Sequence, residues 1–130
     1  RGAVINVSSL TAISSSPYNA QYGAGKSYIK KLTEAVAAEC ESTNVDVEVI
    51  TLGTTITPSL LSNLPGGPAG EAVMKAAMTP EACVEEAFDN LGKSLSVIAG
   101  DHNKANVHNW QANKTDDEYI RYMGSFYSNN

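Results

Sequence analysis

Tyr22 and Lys26 stand four positions apart in Tyr22-Gly23-Ala24-Gly25-Lys26, and Ser9 lies thirteen positions before the tyrosine. A hydroxyl, a phenol and an ammonium are what a carbonyl/alcohol redox site requires: one group to hold the reacting oxygen, one to exchange its proton, one to stabilise the charge left behind. On a helix a spacing of four brings the lysine back over the tyrosine, one turn along the same face. A free phenol titrates near ~10, so proton exchange at neutral pH requires lowering that value by roughly 3 units, or about 4 kcal/mol. One ammonium at ~5 Å, with an effective dielectric of ~20, supplies about 3 kcal/mol of this. In a chain with six tyrosines such a pair also arises by accident, so its weight comes from the elements that position it.

Those elements alternate. Gly2-Ala3-Val4-Ile5-Asn6-Val7-Ser8 is a short β-branched run suited to a strand buried on both faces, and it delivers Ser9 at its carboxyl end, where open α/β sheets bind ligands. Residues 11 to 19 are polar and serine-rich, with Pro17 excluding regular helix, and read as a loop over the site. A helix is expected over 21–41, with Tyr28, Leu32, Val36 and Cys40 recurring every fourth residue beside Ile29 as the face that packs on the sheet. Residues 44 to 51 read as a second, buried parallel strand reached by a right-handed crossover. Residues 54 to 70, with three prolines and three glycines, read as a loop. Thr79-Pro80-Glu81 starts a helix, with Thr79 as cap and Pro80 at the first helical position, and Leu91-Gly92 stops it. Ser96 to Gly100 reads as a third strand, completing β-α-β-α-β.

Asn6-Val7-Ser8-Ser9, then Tyr22-Gly23-Ala24-Gly25-Lys26, then Val47 to Leu52 with Gly53-Thr54-Thr55-Ile56-Thr57-Pro58 resembles, in order, the catalytic strand, catalytic helix and cofactor turn of the short-chain dehydrogenases/reductases. The likeness covers roughly residues 1 to 100. It implies an α/β fold, the carboxyl-terminal half of a Rossmann-type doubly wound sheet with three parallel strands, and an NAD(P)-dependent oxidoreductase acting on a small carbonyl or secondary alcohol. By the same resemblance Ser9 hydrogen-bonds the substrate oxygen, Tyr22 transfers the proton, and Lys26 assists the tyrosine and holds the nicotinamide ribose. Gly53, Thr55 and Thr57 then seat the nicotinamide carboxamide, and the loop over 54–70 is the substrate lid. This chain has Gly25, Leu52 and Ala12 where the family usually has Ser, Pro and Gly, and none of these removes a proposed catalytic group. The family's glycine-rich phosphate loop and its catalytic asparagine have no counterpart in the sequence, and the chain opens on Arg1, so a half-length piece is expected, inactive by itself.

Composition fits a small domain with an ordinary core. The net charge of -5 and the absence of a basic cluster beyond Lys30-Lys31 give no sign of a nucleic-acid or membrane-surface partner. No run approaches the ~20 apolar residues of a membrane span, and a cytoplasmic location is expected. Cys40 and Cys83 read as reduced and structural, and His102 and His108 lack neighbours at ligand spacing, so no metal is expected. Residues 101–130 form a tail in which Thr115-Asp116-Asp117-Glu118 is a capping box, followed by Tyr119, Tyr122, Met123 and Phe126 on one helical stripe that docks on its own domain or on a neighbour.

Two function classes follow: an oxidoreductase half with Tyr22 as general acid/base, or a non-enzymatic half-domain that serves as an oligomerisation or interaction module. Tyr-x-x-x-Lys is shared with sugar-nucleotide epimerases, which rank third because they usually carry a larger carboxyl-terminal region. In the family, a further strand lies against the opening strand, so residues 3–7 would here present an unpaired edge that invites another chain. The isolated chain is therefore expected to be oligomeric or bound to the missing half. Sedimentation at high concentration tests this, and a monomer there would count against it.

Overall fold

The computed structural model describes residues 1–125. Three parallel strands form one sheet in the order β1-β2-β3: β1 (Gly2–Ser9), β2 (Val45–Leu52) and β3 (Ser96–Ile98). Register places Asn6 beside Val49 and Ser9 beside Leu52, so the carboxyl ends of β1 and β2 finish together. Helix α1 (Ala20–Cys40) makes the β1-to-β2 crossover on one face. Helix α4 (Pro80–Asn90) covers the other face, where Ala87 joins Ile50 and Ala99 in a core that also takes in Ile5, Leu52 and Met78. Helices on both faces of a parallel sheet make this the doubly wound α/β arrangement expected from the alternation of elements.

The local signals at helix ends act as their chemistry dictates. The Thr79 hydroxyl accepts from the Ala82 N–H at 3.2 Å, and Pro80 occupies the first turn of α4. In the tail, the Thr115 N–H and hydroxyl both donate to one Glu118 carboxylate oxygen, at 2.8 and 3.0 Å, and the Thr115 hydroxyl accepts from the Glu118 N–H at 3.3 Å. This reciprocal box starts α6 (Asp116–Ser125), which docks on its own chain: Tyr119 lies 4.2 Å, ring to ring, from Trp110. Phe126 of the expected stripe lies outside the described residues.

Three expectations require correction. The Tyr28, Leu32, Val36 stripe of α1 does not pack on the sheet: Tyr28 is 68% exposed, and Leu32 and Val36 also face outward. The buried positions are Gly23, Thr33 and Ala37, residues small enough for the helix to come close to β1. Polar cross-links then join helix and strand, with Asn6 Nδ2 donating to Thr33 Oγ1 at 2.9 Å and Ser8 Oγ donating to the Lys26 carbonyl at 2.9 Å. Second, the region read as a loop over 54–70 holds helix α2 (Pro58–Ser62) and the start of α3 (Gly67–Ala76). Thr57 and Pro58 begin α2 by the same cap-and-proline device as Thr79 and Pro80. Third, β1 is not buried on both faces but lies part-exposed at the edge of the sheet. The polar stretch after Asp101 forms helix α5 (Asp101–Asn113), whose inward face is the short stripe Asn103, Val107 and Trp110.

The outer edge of β1 is unpaired among the described residues, and Val4 and Val7, on opposite faces of the strand, are each nearly half exposed. At the other extreme is Glu48, in the middle of β2. It is fully buried, and neither carboxylate oxygen has a hydrogen-bond partner among the described residues. Burial disfavours the charged form and raises the Glu48 carboxyl above its ordinary 4.5.

A carboxyl raised in this way binds more protons folded than unfolded, so its effect on stability grows less favourable as pH rises from 4.5 through the folded value. Glu48→Met is therefore expected to be more stable than the parent at pH 8, by about 1–3 kcal/mol. The gap should shrink toward pH 4.5, as read from thermal melts across that range. A gap that is constant, or that widens in acid, would overturn this assignment.

Candidate active site

Ser9 ends β1 and lines a cavity that Asn19 and Tyr22, at the start of α1, also line. Its Oγ accepts from the Thr11 N–H at 3.3 Å and the Thr11 hydroxyl at 3.1 Å, at the head of a short 3-10 turn over Leu10–Ala12. Tyr22 projects from the first turn of α1 and is about half exposed. One turn further on, Lys26 reaches back, with Nζ 5.7 Å from the centre of the Tyr22 ring and donating to the Val7 carbonyl at 3.0 Å. That carbonyl belongs to β1, so the lysine is held by the strand that carries Ser9. A further link, Ser27 Oγ to the Ala12 carbonyl at 3.1 Å, ties the helix to the turn after Ser9.

The third side of the site is the turn after β2. Gly53 and Thr55 line one cavity of about 530 Å³ together with Ser9 and Tyr22. Thr11, Leu60 of α2 and Tyr119 and Met123 of α6 close its walls. Thr55 Oγ1 donates to the Gly53 carbonyl at 3.3 Å and lies 3.8 Å from Cys83 Sγ. Thr57 is placed differently from the other sequence-derived candidates: it lies outside this lining, and its hydroxyl accepts from the Leu60 N–H at 3.2 Å as the cap of α2. Lys26 also stands behind the lining, beside Tyr22.

The turn is held from behind by residues that the sequence did not reveal. The Met78 N–H donates to the Thr54 carbonyl and the Ile56 N–H donates to the Met78 carbonyl, both at 2.9 Å, so an isolated bridge brackets Thr55. Asn103 of α5 is buried, donates to the Ala99 carbonyl at 2.7 Å and lies against Gly53 so closely that a Cβ there would be 2.6 Å from its amide. Position 53 must be glycine for that contact. Only the buried stripe on α5 could have pointed to Asn103, and it is too short to stand out against the helix's polar surface.

The arrangement places two hydroxyls, a phenol and an ammonium around the carboxyl ends of parallel strands, which is where this architecture binds ligands. Those donors and acceptors are of the kind that could hold the carboxamide and ribose hydroxyls of a nicotinamide nucleotide. Among the described residues no helix is long and apolar enough to cross a membrane.

The sequence model described as "short chain dehydrogenase" matches residues 1–64 of this doubly wound α/β chain. The chain belongs in part to the short-chain dehydrogenase/reductase family. A 7beta-hydroxysteroid dehydrogenase of Collinsella aerofaciens is 78% identical over 127 residues, which is 98% of this chain and 48% of that protein. A solved structure concerned with 7beta-hydroxysteroid dehydrogenase stereoselectivity superposes with a TM-score of 0.90 at 77% identity, over 95% of this chain and 48% of that one. A short chain dehydrogenase from Burkholderia cenocepacia, solved in complex with NADP, matches at 25% identity and a TM-score of 0.60, over 85% of this chain and 43% of that one. The chain thus spans about half the length of the curated relatives it matches.

Because Asn103 is anchored by its own hydrogen bond, it cannot simply swing away from a new methyl group. Gly53→Ala is expected to cost about 1–3 kcal/mol, read by denaturant unfolding. Combining it with Asn103→Ala should give less than the sum of the two single losses, and strict additivity would remove the clash as the cause.

Proposed function

We propose that this chain carries the proton-transfer and nicotinamide-facing part of an NAD(P)-dependent oxidoreductase that interconverts a secondary alcohol and a ketone. The observation that carries the reading is the convergence of Ser9, Tyr22 and the 53–55 turn on one cavity, with Lys26 fixed beside the phenol by the strand that bears Ser9. The likeness to 7beta-hydroxysteroid dehydrogenases supports a steroid alcohol as the substrate class. The leucine, tyrosine and methionine in the cavity wall give such a fused, largely apolar ring system a surface to lie on.

In the direction of ketone reduction, Ser9 donates a hydrogen bond to the carbonyl oxygen and Tyr22 passes its phenolic proton to that oxygen as the carbon receives hydride. Lys26 stabilises the negative charge left on the phenol oxygen. A nicotinamide dinucleotide, when bound, would supply the hydride in this direction and accept it in the other. Gly53 and Thr55 are the residues of this chain that would meet the carboxamide, with Lys26 toward the ribose. Alcohol oxidation reverses each step: Tyr22 takes the hydroxyl proton as the carbon gives up hydride.

The open edge of β1 supports a second element of the proposal, namely that the functional protein adds further chain against that strand. The partner is either the rest of a polypeptide of the relatives' length or another copy. An interaction module without catalysis would use the same edge, and nicotinamide binding separates the two readings.

Tyr22→Phe, introduced into a polypeptide extended to the length of the relatives, should lower kcat for a 7-hydroxysteroid by roughly 10³-fold or more. Dinucleotide affinity, read by fluorescence titration, should stay within about twofold, a change of under half a kcal/mol. Turnover retained by this variant would overturn the proton-transfer role.

A further inference from the structure

Ser9 does not stand alone at the end of β1. Its Oγ takes hydrogen bonds from both the backbone N–H and the hydroxyl of Thr11, at 3.3 and 3.1 Å. A serine hydroxyl has two acceptor sites and one hydrogen to give. With both acceptor sites engaged by Thr11, the Ser9 hydrogen is the group's one remaining valence, and it is free for the cavity that Ser9, Thr11 and Tyr22 share. Resting on the redox reading above, we propose that Thr11 is a positioning residue for Ser9, setting that hydroxyl to donate to the substrate oxygen.

The placement of Thr11 is itself enforced by the catalytic helix. Gly23, next to Tyr22, packs against it, and a Cβ on Gly23 would come within 3.2 Å of the Thr11 carbonyl oxygen and 3.8 Å of its Cβ. One residue on, the Ala12 carbonyl is held by Ser27 Oγ. The turn is thus held against α1 at Gly23 and Ser27, the residues that follow Tyr22 and Lys26. Capping the short 3-10 turn needs only the bond from the Thr11 N–H to Ser9 Oγ, which any residue at position 11 could make. The hydroxyl-to-hydroxyl bond is additional to that cap. It also polarises the Ser9 O–H, because an oxygen that accepts hydrogen bonds becomes a stronger donor through its own hydrogen.

Thr11→Val keeps the shape, the N–H and the contact with Gly23 and removes only the hydroxyl. In the polypeptide of the relatives' length, this change is expected to lower kcat for a 7-hydroxysteroid about tenfold while KM for steroid and dinucleotide stays within about twofold. Thr11→Ser, which restores the hydroxyl, should return kcat to within about twofold of the parent. In a Ser9→Ala background, Thr11→Val should have no further effect, because Thr11 acts through Ser9. Parental kcat in Thr11→Val, failure of Thr11→Ser to rescue, or an independent loss in the Ser9→Ala background would each overturn the proposal. If Thr11→Val lowers Tm, Thr11→Ser still carries the test, since it keeps the hydroxyl and brings in no second methyl group. Tyr22→Phe reports on the redox reading separately. A parent that Tyr22→Phe silences but Thr11→Val leaves untouched sinks the positioning role alone, whereas a parent without turnover sinks both.

Discussion

The close seating of α1 on the end of β1 is the constraint from which the site follows. Two small side chains and a glycine on the buried side of the helix let it approach the strand, and hydrogen bonds from Asn6, Ser8 and Lys26 cross the gap. Apolar packing alone would allow the helix to slide by part of a turn at little cost, because such contacts have no direction. A carbonyl that accepts from one particular ammonium, and a hydroxyl that donates to one particular carbonyl, remove that freedom. The lysine contributes twice, since the bond that fixes the helix to the strand is made by the same nitrogen that lies beside the tyrosine ring.

The turn after β2 is fixed by different means. Its support comes from later in the chain, through the Met78 backbone and the Asn103 side chain, so the site is complete only when α5 has docked. The first two sides of the cavity come from residues near in sequence, whereas the third depends on contacts fifty residues apart between Gly53 and Asn103.

Much of this was legible in the sequence where the signal was local. Thr79-Pro80 and Thr115 with Glu118 announced helix starts because capping involves only neighbouring residues, and the β-branched runs announced β1 and β2 as strands, although burial on both faces holds for β2 alone and β1 lies part-exposed at the sheet edge. Of the residues that line the cavity, Ser9 and Tyr22 stood out because a strand ends and a helix starts there, whereas Gly53 and Thr55 were named through the family resemblance alone. Reading failed where packing inverted the usual preference. In α1 the large apolar side chains point outward, while glycine, threonine and alanine face the sheet. In α5, thirteen mostly polar residues conceal a three-residue stripe. Neither the isolation of Glu48 nor the hold of Thr11 on Ser9 leaves a trace in composition, since both depend on which atoms meet.

The bridge between Thr55 and Met78 gives the chain a neck: the segment carrying α2 and α3 leaves the body and returns through the same pair of hydrogen bonds. Those two bonds fix the backbone on either side of Thr55 whatever the length of the excursion beyond them. The excursion can lengthen, shorten or exchange residues at an entropic cost that grows only with the logarithm of its length. The wall that Leu60 gives to the cavity can therefore change shape while the turn beside it keeps its place.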